Sequence, residues 1–178
     1  GNLGFVYAAK NKMEDAIART KMYLEISEDK FSRESKSPQN VAAIATSYNN
    51  LGKYYLLQKN LPGAEDNYKK GLSICMDFVE KYPSILSKLV ALLSTNLGQL
   101  YVDSYADRLP DAISFFDKAI EYRDKSTGDD NESMKFNSSV AILYLARIYF
   151  FKNDLIQARK YFSACIYLIN NLPEDSNL

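Results

Sequence analysis

Apolar residues in this chain recur at three- and four-residue spacing, the period that places them along one stripe of an α-helix. Ile44, Tyr48, Leu51 and Tyr55 trace one such stripe, and Leu93, Leu97, Leu100 and Tyr101 trace another. A short polar turn follows, such as "QKN" at 58–60 or "KND" at 152–154, and a second helix begins behind it. Pro62 and Pro110 fall in the first turn of that second helix, where a missing N–H costs nothing. Longer polar breaks at 32–40, 81–84 and 125–133 separate the pairs. Pro38 and Pro83 are expected to mark helix boundaries there, because the residue before proline avoids helical geometry. The glycine and clustered acids of 125–133 make it the loop expected to move most.

The pairs repeat. "LGFVY" (3–7), "LGKYY" (51–55), "LGQLY" (97–101) and "LARIY" (145–149) align, and their last tyrosines, Tyr7, Tyr55, Tyr101 and Tyr149, recur at intervals of 48, 46 and 48. Downstream stand Ala16, Ala64, Ala112 and Ala158. Four residues on come Thr20, Tyr68, Phe116 and Phe162, and three further Tyr23, Gly71, Ala119 and Cys165. In the third copy "SYADRL" lengthens the turn by two residues. Each copy therefore reads as a hairpin of two helices, with Gly52, Gly98 and Ala146 on the first and the alanines on the second permitting close approach. Glycine within a helix costs about 1 kcal/mol relative to alanine, so its recurrence requires a packing return. One hairpin cannot bury its apolar faces alone, whereas stacked hairpins can.

Composition narrows the function. The 178 residues carry 22 basic and 22 acidic side chains, so no net field favours nucleic acid or an anionic membrane surface. The longest apolar run, 140–151, is interrupted by Arg147 and is shorter than the ~20 residues of a membrane span. Cys75 and Cys165 have no metal-ligand spacing and suggest no disulfide framework, so a reducing, cytoplasmic setting is the expectation. Both fit buried structural positions better than reactive ones. The chain has no histidine, the commonest catalytic base and metal ligand, and no glycine-rich phosphate loop. The expectation is a protein without enzymatic activity, metal or cofactor.

The order Leu-Gly-x-x-Tyr, Ala, aromatic, small resembles the tetratricopeptide repeat. Gly52, Tyr55, Ala64, Tyr68 and Gly71 reproduce it in order, and Gly98, Tyr101, Ala112, Phe116 and Ala119 do so across the insertion. The first and last copies depart at Thr20, Tyr23, Ala146 and Cys165. The interval of 46–48 residues exceeds the ~34 of the ordinary repeat, and is similar to the long-repeat kinesin-light-chain-like and bacterial-regulator subgroup. The resemblance implies an all-α fold: an α-solenoid of stacked antiparallel helical hairpins wound as a right-handed superhelix. It would form one domain over 1–178, as a piece of a larger protein, with about four repeats near 1–35, 39–82, 84–126 and 132–172.

The same resemblance implies that the first helices line a concave groove that holds a partner protein or peptide. The residue before the conserved leucine would face it: Asn2, Asn50 and Asn96, with Tyr144 in the last copy. An amide both donates and accepts, matching the N–H and C=O groups of an extended chain. The residue after the glycine would share the face, namely Phe5, Lys53, Gln99 and Arg147, with Ala8, Leu56, Val102 and Phe150 one turn on. The family's carboxylate clamp needs lysine near the start of a first helix. Thr46, Leu92 and Val140 stand there instead, so acidic chaperone tails are not the expected ligand. A binding scaffold, regulatory or sensory in a larger protein, is the leading expectation. A structural spacer or self-association module, its groove empty or filled by its own neighbour, is the alternative, and exposed apolar ends are expected to invite end-to-end association.

Overall fold

The turns that close the hairpins explain the helix order. At Lys59 and Asn153 the backbone enters the left-handed region, each with φ of 59°. The residue after each sends its N–H back to the first helix, Asn60 to Tyr55 and Asp154 to Tyr149, both at 2.9 Å. That is the glycine-type helix stop made without glycine. The same residue then opens the next helix. Asn60 Oδ1 accepts from Gly63 N at 3.0 Å, and Asp154 Oδ1 accepts from Gln157 N at 3.1 Å. One turn thus ends a helix and caps its successor.

The computed structural model describes residues 2–33, 36–125 and 132–170, with side chains from residue 12 onward except at 106, 124 and 132–137. Seven α-helices follow in order: α1 (Asn2–Arg33), α2 (Pro38–Leu57), α3 (Leu61–Phe78), α4 (Pro83–Ser104), α5 (Leu109–Lys125), α6 (Glu132–Phe151) and α7 (Leu155–Asn170). Among the described residues there is no strand, and the fold is an all-α succession of helical hairpins. Pro38 opens α2 behind Ser37, whose hydroxyl accepts from Asn40 N at 3.2 Å, and Pro83 opens α4. The break at 126–131, expected to be the most mobile, lies outside the described residues. The chain's contacts group into two compact units, Gly1–Phe78 and Val79–Leu178.

The first copy departs from the hairpin reading: α1 is one continuous helix. Its sequence supplies the reason. Where the turns of the second and fourth copies carry Asn60 or Asp154 as cap, the matching residue is Lys12, which has no acceptor group; Arg108 has none either in the third copy, but there the two-residue insertion and Pro110 mark the break. No proline follows, and "AAKNKMEDA" (8–16) is made largely of residues that propagate a helix. In the first unit α1 packs on α2, and α2 pairs with α3. Ile17 and Leu24 of α1 meet Ile44 and Leu51 of α2, flanked by Ile74 of α3. Phe31 and Phe78 close the end of this core edge to face, with ring centroids 5.7 Å apart.

In the second unit α4 pairs with α5, α6 with α7, and α6 also packs against both α4 and α5. The insertion in the third copy becomes a 3-10 turn over Ala106–Arg108. Arg108 holds it, bonded through Nε and Nη2 to Asp111 at 2.8 Å and laid 4.2 Å from the centre of the Tyr101 ring. The most apolar long helix is α4 rather than the 140–151 run. Its mean hydropathy is 1.3, it alone among the described helices is long and apolar enough to span a membrane, and 61% of that stretch is buried within the fold.

The recurring glycines have a more specific task than close backbone approach. A Cβ at Gly52 would stand 2.4 Å from Cε1 of Tyr68, and one at Gly98 would stand 2.5 Å from Cε1 of Phe116. In the α2–α3 and α4–α5 hairpins the aromatic four residues past the alanine fills the space beside the glycine of the first helix. Both rings are buried, as are Ala64 and Ala112. Ala146 carries a methyl in this slot, and Phe162 opposite it is only part-buried.

Candidate functional site

Hairpin packing leaves one stripe of each first helix open. On α2 the "NN" of the motif divides its work: Asn49 is buried and partnered, whereas Asn50 stands part-exposed. With Thr46, Lys53 and Leu57 it forms a row at helical spacing along the first unit. On α4 the same division places Thr95 inside, its hydroxyl donating to Ala91 O at 2.9 Å, and leaves Asn96 part-exposed. Leu92, Asn96, Gln99 and Asp103 form the matching row on α4. On α6 the row is Val140, Tyr144, Arg147 and Phe151.

Within the second unit these rows meet, because α6 packs on α4. Tyr144 is the junction. Its ring stacks on Phe116 of α5, with centroids 5.3 Å apart and planes 21° apart. Its phenol interacts with the Asp103 carboxylate and with Arg147, whose guanidinium lies 5.2 Å from the ring centre. Burial pushes the Tyr144 phenol above its ordinary pKa, the Asp103 charge adds to the rise, and Arg147 opposes it. The α4–α6 face thus presents part-exposed amides at Asn96 and Gln99 beside a fixed ring and two opposite charges. Such a surface offers hydrogen bonds in both directions to an extended backbone, next to apolar contact.

The sequence-derived candidates fall into three groups. Tyr144 and Arg147 are brought together, and Asn96 and Gln99 share the facing helix. Asn50 and Lys53 form their own row on α2 in the first unit. Asn2 and Phe5 lie on the first turns of α1, where side chains are outside the described residues. Asp103 and Phe116 were missed. Asp103 is one helical turn beyond Gln99, so the row itself pointed to it, whereas Val102, the residue chosen at that level, turns partly inward.

The remaining reactive groups are packed away. Cys75 is fully buried, and burial pushes its thiol up to about 12. Cys165 is buried as well, raised by the same cause, and donates its S–H to Ser139 O at 3.5 Å. Both are free thiols. Among the described residues no three Cys, Asp or Glu side chains gather as a metal site.

Family models describing the tetratricopeptide repeat match residues 44–75, which span α2 and α3, and residues 143–172, which begin in α6 and run through α7. No curated protein matches the chain. The matched stretches contain Asn50, Lys53, Tyr144 and Arg147.

Proposed function

From the premise that this is a tetratricopeptide-repeat protein, a class whose repeats generally mediate protein–protein interaction, we propose that the α4–α6 face holds an extended segment of a partner protein. One observation carries the reading: Tyr144, stacked on Phe116 and covered by Arg147, meets Asp103 of the adjoining first helix, which also bears Asn96 and Gln99. A surface held in place before binding loses little side-chain freedom when a ligand docks. The α2 row, with Asn50 and Lys53, is a second contact row of the same kind in the first unit. The reading requires no catalytic chemistry of the chain, only recognition by shape and hydrogen bonding. It fits a cytoplasmic scaffold.

Selection of displayed random peptides on the immobilised 178-residue chain tests the reading. Peptides selected on the native chain are expected to lose at least ten-fold in affinity for Arg147→Glu. They should bind Lys70→Glu, on the ion-paired outer side of α3, as they bind the native chain. Equal binding to both variants, or the reverse order, rejects the α4–α6 face.

A further inference from the structure

We propose that the tip of the α6–α7 hairpin enters the surface of an anionic phospholipid bilayer. Phe151 and Ile156 would sit among the acyl chains, with Lys152, Arg159 and Lys160 at the headgroups.

The apolar apex is the first observation. Phe151 is 79% exposed and Ile156 83%, on either side of the turn that joins the helices. Phe150 and Leu155 beside them are exposed too, and the two phenyl rings meet edge to face with centroids 5.9 Å apart. Stacking of another hairpin would not cover the apex. The positions matching 151 and 156 are Leu57 and Pro62 in the α2–α3 hairpin, and Asp103 and Pro110 in the α4–α5 hairpin. All four are exposed, Leu57 at 68%. Asp103 and Pro110 stay so although α6 packs against both α4 and α5. The last hairpin places two bulky apolar side chains where the preceding one has an acid and a proline. Its turn is closed by main-chain bonds from Lys152, Asn153 and Asp154 back to α6, so the apex needs no ordering before it docks.

The charge around the apex is the second observation. Lys152 stands in the turn, and Arg159 and Lys160 lie one helical turn past Ile156, all three exposed. Between the helices Tyr149 and Tyr161 stack with centroids 5.5 Å apart; Lys152 lies 5.8 Å from the first ring centre and Lys160 5.6 Å from the second. Asp154, the acid of the turn, is taken up as the cap of α7, and Lys160 also faces Asp117 of α5. An apolar apex with amphipathic rings and cations behind it matches the layers that a segment meets on entering one leaflet. The 22 basic and 22 acidic residues of the whole chain give no long-range field, so the attraction is local. Asp103, Asp107 and Asp111 confine it to the last tip; of these, Asp103 meets Tyr144 and Arg147, and Asp111 is paired with Arg108. A second copy suits the apex less well, since a two-fold contact would set the three cations of each tip against those of the other.

Sedimentation with vesicles of phosphatidylcholine and phosphatidylserine in equal parts tests the insertion. The native chain is expected to pellet with them, and to bind pure phosphatidylcholine vesicles roughly ten-fold or more weakly. Ile156→Glu, at a solvent position, should keep its helix content by circular dichroism and lose roughly ten-fold or more in affinity for the mixed vesicles. Ile156→Cys carrying an environment-sensitive dye gives an independent readout, the two native thiols being buried. Its emission should shift to the blue with mixed vesicles, whereas the same dye on Ser114→Cys, on the exposed side of α5, should not shift. A native chain that stays in the supernatant overturns the proposal, and so does equal binding to both kinds of vesicle. Undiminished binding by Ile156→Glu, or an unshifted dye at position 156, does the same. A chain that ignores vesicles but dimerises in light scattering, and loses the dimer with Ile156→Glu, would make the tip a protein contact instead.

Discussion

Gly98→Ala is expected to destabilise the protein by about 2–3 kcal/mol, although alanine is the better helix former by about 1 kcal/mol. The added methyl would stand 2.5, 2.7 and 2.8 Å from three atoms of the Phe116 ring. That ring cannot swing out of the way, since it is buried and carries Tyr144 on its other side. Either the helices separate or the ring leaves its slot, and both lose packing. Gly52→Ala should behave likewise against Tyr68. Urea unfolding followed by circular dichroism measures the loss as a lower midpoint with an unchanged slope. Adding Phe116→Leu to Gly98→Ala should recover part of it, because the smaller side chain makes room for the methyl. A Gly98→Ala variant as stable as the native chain would show that the ring-on-glycine contact does not hold the hairpin.

The second large effect concerns binding. Joint replacement of Asn96 and Arg147 by alanine is expected to weaken a peptide selected on the native chain by about thirty-fold to a thousand-fold. Each residue would lose a hydrogen bond to the ligand worth about 0.5–1.5 kcal/mol if neutral and about 1.5–3 if charged, and 1.4 kcal/mol is ten-fold in affinity. Loss of Arg147 also removes the guanidinium beside Tyr144, leaving the phenol with Asp103. Neither residue is in the core: Arg147 is exposed and Asn96 part-exposed, so the loss of stability should stay within about 1–2 kcal/mol, the cost of ordinary surface contacts. Fluorescence anisotropy with a labelled peptide separates the two effects. A variant that binds normally would remove the α4–α6 face from recognition.

Much of this fold was legible in the chain because the repeat is written in residue types that each do one job. Gly52 and Gly98 leave room for a ring, Tyr68 and Phe116 fill it, and Pro38, Pro62, Pro83 and Pro110 mark helix starts. What the glycines admit was less legible, since proximity across a hairpin is set by the rotation of both helices and not by spacing along either. The straight α1 was missed because "LGFVY" and Ala16 keep the hairpin register while the turn between them has lost its cap. Between them neither a cap, a proline nor an insertion interrupts the helix-forming run 8–16. The Asp103–Tyr144–Arg147 cluster depends on how α6 lies on α4, a relation that a period within one helix does not contain.

A photoreactive phenylalanine analogue placed at Gln99, on the row of α4, gives the most direct measurement. With a tagged peptide selected on the native chain, irradiation should produce a covalent adduct at Gln99 and none at Ser114, on the exposed side of α5. Mass spectrometry should place the peptide's attachment on the first-helix face. An adduct at Ser114 with none at Gln99 would contradict the account.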